Sequence, residues 1–212
     1  AAQDIDPLAA AYEQRQKARH AEAEETLKQL AEQKIDPPRV AVELSQVQEA
    51  TGRIKDATDG LETAAKQFPE HPALLSRLAE VYFHQGQYQK AEQAARRALK
   101  LDGNQPRAHW VLGETYAETG RLDKALDEYV WFVRYYNREQ PEDAETLSLV
   151  ALGSLQYARW ESSSQILKFV VNTLCPDALK DDETDWQAHW IAGSLLLEKY
   201  NRAQALPELR RA

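Results

Sequence analysis

The chain has 212 residues, 43% apolar and 28% charged, a balance that reads as a soluble protein with enough length for a substantial core. Its 34 acidic against 26 basic residues leave a net charge of −8, which argues against nucleic acid as a partner because phosphate-backbone affinity needs clustered Lys and Arg. No apolar run approaches the roughly 18 residues of a membrane span, and the single cysteine, Cys175, excludes an internal disulfide.

From the N-terminus the sequence reads as a succession of short helices in pairs. "VQEATGRIKDATDGLETAAKQF" from Val47 is answered 34 residues later by "VYFHQGQYQKAEQAARRALKLD" from Val81, an interval that predicts a two-helix repeat. Within one repeat Leu75, Leu78, Ala79 and Tyr82 follow helical spacing, and a second set follows Gly86 at Ala91, Ala95, Ala98 and Leu99. Gly52, Gly86 and Gly120 mark the turns inside the pairs, and Pro38, Pro72 and Pro106 open successive first helices, where a missing N–H is harmless. Ala23, Ala57, Ala91, Ala125 and Ala205 fall early in the second helices, while Gly113, Gly153 and Gly193 fall inside first helices. Both sets predict close helix approach, since a helix-interior glycine otherwise costs about 1 kcal/mol.

Further on, "HWVLGETYAETGRLDKALDEY" resembles the tetratricopeptide repeat, with Leu112, Gly113, Tyr116, Gly120, Ala125 and Tyr129 at its signature positions. The resemblance implies an all-α fold, a right-handed α-solenoid of stacked antiparallel helix pairs forming a single domain. Its repeats run 4 to 37, 38 to 71, 72 to 105, 106 to 145, 146 to 185 and, truncated, 186 to 212. The sequence departs from the family in three places. His109 and His189 stand where its tryptophan is usual, with Trp110 and Trp190 one residue later. Two repeats are 40 residues long. In the fifth, Gln165 occupies an alanine position and Pro176 predicts a break or kink in the second helix.

The stretch "RALKLDGNQPRAHW" at 97 to 110 recurs as "DALKDDETDWQAHW" at 177 to 190, seven of fourteen positions being identical; each copy reads as a junction between repeats, which assigns His109 and His189 a shared structural role.

No catalytic motif, cofactor loop or paired-cysteine metal spacing occurs, so no enzyme activity and no cofactor are expected. Glu80 and His84, four apart, are at most two ligands of a metal site. Function is expected on the groove lined by the first helices, as the resemblance implies. Its register points Glu80, Phe83, His84, Trp110, Glu114, Glu118, Tyr157, Trp190 and Ser194 into the groove, along with Ser76, Arg107, Ala117, Val150, Ser154, Ala158, Gln187, Leu197 and Glu198. The family's carboxylate clamp is missing, because its positions read Ser76 and Glu80, then Trp110 and Glu114. The expected partner is therefore a protein or peptide with apolar and basic residues, bound by a scaffold module. For Trp110 and Trp190 two readings stay open, groove side chains or interhelical packing. A second class of function is the recruiting region of a longer enzyme, for example a peptidase. The last repeat stops at Ala212 inside its second helix, so the natural chain is expected to continue, and self-association through that open end is a further possibility. Without an initiator methionine, cytoplasmic and exported locations both remain open.

Overall fold

The computed structural model describes residues 6–199 and 201–212, and among these every regular element is helical. The chain divides into two compact bodies, one ending at Val111 and the other beginning at Leu112.

The N-terminal body holds α1 (Ala9–Gln16), α2 (His20–Glu32), α3 (Pro37–Ala50), α4 (Ile54–Gln67), α5 (Pro72–His84), α6 (Tyr88–Leu101) and the start of α7 (Pro106–Glu118). From α1 to α6 each helix packs on the next, and α3 also packs on α5, the pattern of stacked hairpins. Sequence chemistry accounts for the punctuation. The Asp36 carboxylate and the His71 Nδ1 accept the backbone N–H three residues on and cap α3 and α5. Gly52 and Gly86 close the hairpin turns at φ +76° and +70°, where an L side chain would meet its own carbonyl. Ala23, Ala57 and Ala91 are completely buried in the seams, and the core at the N-terminal end is Leu8, Ala11, Leu27, Val40 and Val47.

The C-terminal body holds the rest of α7, then α8 (Leu122–Glu139), α9 (Ala144–Trp160), α10 (Ser164–Phe169), a π turn (Val170–Leu174), α11 (Cys175–Asp181), α12 (Trp186–Glu198) and α13 (Arg202–Arg211). Here the first-helix glycines do what their spacing predicts. A Cβ on Gly113 would lie 2.7 Å from the Tyr129 ring, one on Gly193 2.7 Å from Leu209, and one on Gly153 inside the ring of Phe132. The small residue is what lets the helices touch.

Two expectations about the fifth repeat are corrected. Pro176 does not break the helix, because the chain widens into a π turn just before it and runs on as α11. The Cys175 N–H reaches back five residues to the Val170 carbonyl, so the helix absorbs a residue with no N–H and a ring that would otherwise press on the carbonyl four back. The register also differs. α9 runs to Trp160 and the turn residue in the left-handed region is Ser162, φ +51°, two residues later than the 40-residue interval predicts. Counting five on from the turn, as from Gly52 to Ala57, lands on Leu167, while Gln165 is exposed. Ser162 carries a strain that its glycine counterparts lack, so Ser162→Gly is expected to stabilise the protein by up to about 1 kcal/mol, read as a raised urea midpoint.

Candidate functional site

On the first helices of the N-terminal body, charges are consumed by one another. The Arg77 guanidinium is buried on α5 and pairs with Glu49 of α3 and with Glu80 one turn along; its Nε donates to the Ser45 hydroxyl at 2.8 Å. Glu80 is shared with Arg107 of α7, and the His84 Nδ1 lies 2.6 Å from the second oxygen of Glu49. Burial pushes the Glu80 carboxyl up, but the Arg107 and Arg77 charges outweigh it and hold the group down at about 2. Glu49 is lowered in the same way, burial being offset by the His84 and Arg77 contacts. His84 is raised, chiefly by its hydrogen bond to Glu49. Glu80 and His84 thus belong to a salt-bridge network, and among the described residues no group of three ligands could hold a metal ion. Phe83 is half-buried and packs on Tyr88 with ring centroids 5.8 Å apart, and Trp110 is half-buried on α7.

The C-terminal body is different in charge. It holds 17 Asp and Glu against 11 Lys and Arg, hence six of the eight net negative charges. Glu114 is half-buried on α7; it accepts a 2.7 Å hydrogen bond from the Tyr129 hydroxyl and another from the Gln156 side chain, and both of these partners are neutral. Burial, and then the like charge of Glu118 one turn on, push the Glu114 carboxyl up, against the pull of those hydrogen bonds. Glu118 is exposed. Tyr157 on α9 is half-buried, Trp190 on α12 is exposed, and Ser194 beside it is half-buried.

Ser76, Val150, Ser154 and Ala158 are buried, so they lie beneath the first-helix faces and do not line a groove. Consecutive first helices stand close enough to cover small side chains. Two exposed aromatic residues that the register did not select are Trp160 at the end of α9 and Trp186 at the start of α12.

His109 and His189 make the same bond in the two copies of the junction. The Nε2 of each lies 3.2 Å from a backbone carbonyl six residues earlier, Gly103 and Glu183, and ahead of each an Asp, 102 or 182, accepts the N–H two residues on at 2.9 Å. The duplicated stretch is thus a device for turning the chain from one hairpin into the next. His189 goes further, its Nδ1 lying 2.6 Å from Glu208 on α13. Burial and then the Asp185 and Glu208 charges push the Cys175 thiol up to about 12, so it stays protonated and is a packing residue.

The family model of the tetratricopeptide repeat matches residues 50–109 and 83–129. The chain belongs to the tetratricopeptide repeat family. Solved tetratricopeptide structures share its fold at low identity. A thermophilic protein of Thermus thermophilus is 20% identical with a TM-score of 0.62, over 90% of this chain and 97% of that one. A protein from Parabacteroides merdae is 16% identical with a TM-score of 0.52, over 97% and 77%. Human IFIT1, solved as a dimer with PPP-AAAA, is 17% identical with a TM-score of 0.63; the match covers 91% of this chain but 45% of that one. No curated protein matches the sequence. Tetratricopeptide repeats are in general non-enzymatic scaffolds that bind proteins or peptides. Among the described residues no helix is long and apolar enough to cross a membrane.

Proposed function

We propose that this tetratricopeptide protein holds a peptide or protein segment carrying basic and apolar residues on its first-helix faces. The observation that carries the reading is Glu114, a half-buried carboxylate with Glu118 one turn away and two uncharged hydrogen-bond partners. It is a charge that a cation from outside would relieve. Within the same C-terminal body Tyr157 on α9 and Trp190 on α12 supply aromatic area of the kind that anchors a chain. Glu80 and His84 contribute little net charge, since Arg77, Arg107 and Glu49 occupy them; the acidic part of the surface lies with Glu114 and Glu118.

The test is fluorescence anisotropy with a labelled twelve-residue peptide alternating Lys and Leu, set against the same peptide with Glu for Lys. The lysine peptide is expected to bind, more weakly at high salt, and the joint reversal Glu114→Lys with Glu118→Lys is expected to weaken it at least tenfold. Glu114→Gln separates the two roles of that residue. Its folded carboxyl sits above the unfolded value, so the charged form costs stability once the pH exceeds both values; at pH 7 the glutamine variant is expected to be slightly more stable and to bind worse. Equal affinity of the reversed variant and the parent would end the acidic-face reading.

A further inference from the structure

The outward flank of α8 carries the side chains that would complement the acidic face of α7. Tyr129 packs on Gly113 of α7 and Phe132 on Gly153 of α9, so the line through Lys124, Trp131, Arg134, Tyr135 and Arg138, on the other side of the helix, looks away from both. Arg134 and Arg138 are exposed, and Trp131 and Tyr135 are half-buried. The two rings stack with centroids 4.5 Å apart, and the Arg138 guanidinium lies 6.0 Å from the centre of the Tyr135 ring. From Trp131 to Arg138 the chain holds two arginines and no carboxylate, in a body that is otherwise acidic.

Hairpin stacking does not call for these residues. The same places 34 residues earlier, on α6, hold Arg97, Lys100 and Leu101, and those on α4 hold Thr63, Lys66 and Gln67. Trp, Tyr and Arg are the side chains that dominate binding hot spots, and rings already held in a stack lose little freedom when a partner covers them.

Charge and spacing select the occupant. Glu114 and Glu118 are four residues apart on one helix, and so are Arg134 and Arg138, which sets both pairs at about 6 Å along their axes. Glu114 is half-buried between two uncharged hydrogen-bond partners, the Tyr129 hydroxyl and Gln156, and at such a site a weakly hydrated guanidinium is a better counter-charge than an ammonium. Two arginines beside two stacked aromatic rings make up the basic and apolar segment that the acidic face is read as holding, and every copy of the chain displays one. Within a single chain the two cannot meet, because the flank of α8 faces away from α7.

We propose that the Trp131–Arg138 ridge of one copy docks on the Glu114 and Glu118 face of a second copy, with Arg134 and Arg138 set against the two carboxylates and the Trp131–Tyr135 stack covered beside them. The inference rests on the acidic-face reading and names its occupant. The contact joins two different patches, so a docked pair still shows one open ridge and one open face, and assembly continues beyond the dimer.

Sedimentation velocity between about 1 and 200 µM in low salt is the direct measurement. The apparent mass of the parent is expected to rise from 24.1 kDa past twice that value and to fall back as sodium chloride is raised to about 0.5 M. Arg134→Glu with Arg138→Glu, and separately Glu114→Lys with Glu118→Lys, are each expected to move association at least tenfold higher in concentration while the helical circular dichroism stays unchanged. Mixed in equal amounts, the two variants are expected to associate again, because each then offers the other a face and a ridge of opposite charge. Trp131→Ala is expected to weaken association at least tenfold with all the charges in place. A single 24.1 kDa species throughout, association untouched by reversing the arginines, or no rescue in the mixture would each overturn the proposal. The lysine–leucine peptide separates its failure from that of the acidic-face reading. Peptide binding by a parent that stays monomeric keeps that reading and removes the ridge as its occupant, whereas peptide binding retained by the Arg134 and Arg138 variant, with association lost, supports both.

Discussion

Replacing Gly153 by alanine is expected to destabilise the C-terminal body by about 3 kcal/mol, the upper part of the range for overpacking. The added Cβ would lie under 3.0 Å from three atoms of the Phe132 ring, and Phe132 is completely buried, so the ring has nowhere to swing. Gly60 supplies the control. It lies mid-helix in α4 with nothing within 4 Å of an added Cβ, so Gly60→Ala is expected to stabilise by up to about 1 kcal/mol through helix propensity alone. The same substitution thus has opposite signs at two helical glycines. Trimming the obstacle should confirm the cause: Phe132→Leu combined with Gly153→Ala is expected to cost less than the sum of the two single changes, by about 1 kcal/mol or more in urea titrations with unchanged slopes. Additive costs would mean that Gly153 is needed for something other than contact with Phe132.

These glycines also show why the fold was open to reading. Solenoid packing is local, so the residues that must be small recur at the interval of the repeat, and Gly113, Gly153 and Gly193, 40 apart, announce their seams. The fifth repeat was less legible for a physical reason. Its first helix is 17 residues long where α5, α7 and α12 have 13, and its turn uses Ser162 where the second, third and fourth hairpins use Gly52, Gly86 and Gly120, so the marker of register is absent. Pro176 normally signals a helix end; a π turn, which leaves no mark in a hydrophobic pattern, overrides it.

The candidate site was legible in outline only. Which positions lie on first-helix faces follows from the repeat, but whether a carboxylate there is available depends on neighbours about 28 residues away, as with Glu49 and Arg77 or Glu80 and Arg107. A charge pair at that separation looks like any two surface residues until the helices stack.

The network around Arg77 has the second large expected effect. Arg77→Ala would leave the Glu49 and Glu80 carboxylates facing each other with Arg107 and His84 as their remaining partners, and is expected to cost about 3 to 5 kcal/mol at pH 7. Adding Glu49→Gln is expected to recover part of that loss, because a neutral amide does not repel Glu80. The acid response fixes the mechanism. The folded carboxyl of Glu80 sits at about 2 and that of Glu49 is also depressed, so both contribute stability above the unfolded value near 4.5 and lose it as the pH falls toward about 2. His84 is raised, so its smaller share, at a partly exposed site, is complete below the unfolded value of 6.5 and fades as the pH climbs through its folded value. Parental stability from this network should therefore peak between roughly pH 4.5 and 6.5, and the Arg77→Ala profile should be flatter on the acid side, since Glu80 then has less depression to lose. Urea titrations across about pH 3 to 8 decide the matter. Parallel parent and variant profiles would show that Arg77 acts by filling space and not by holding its two carboxylates ionised.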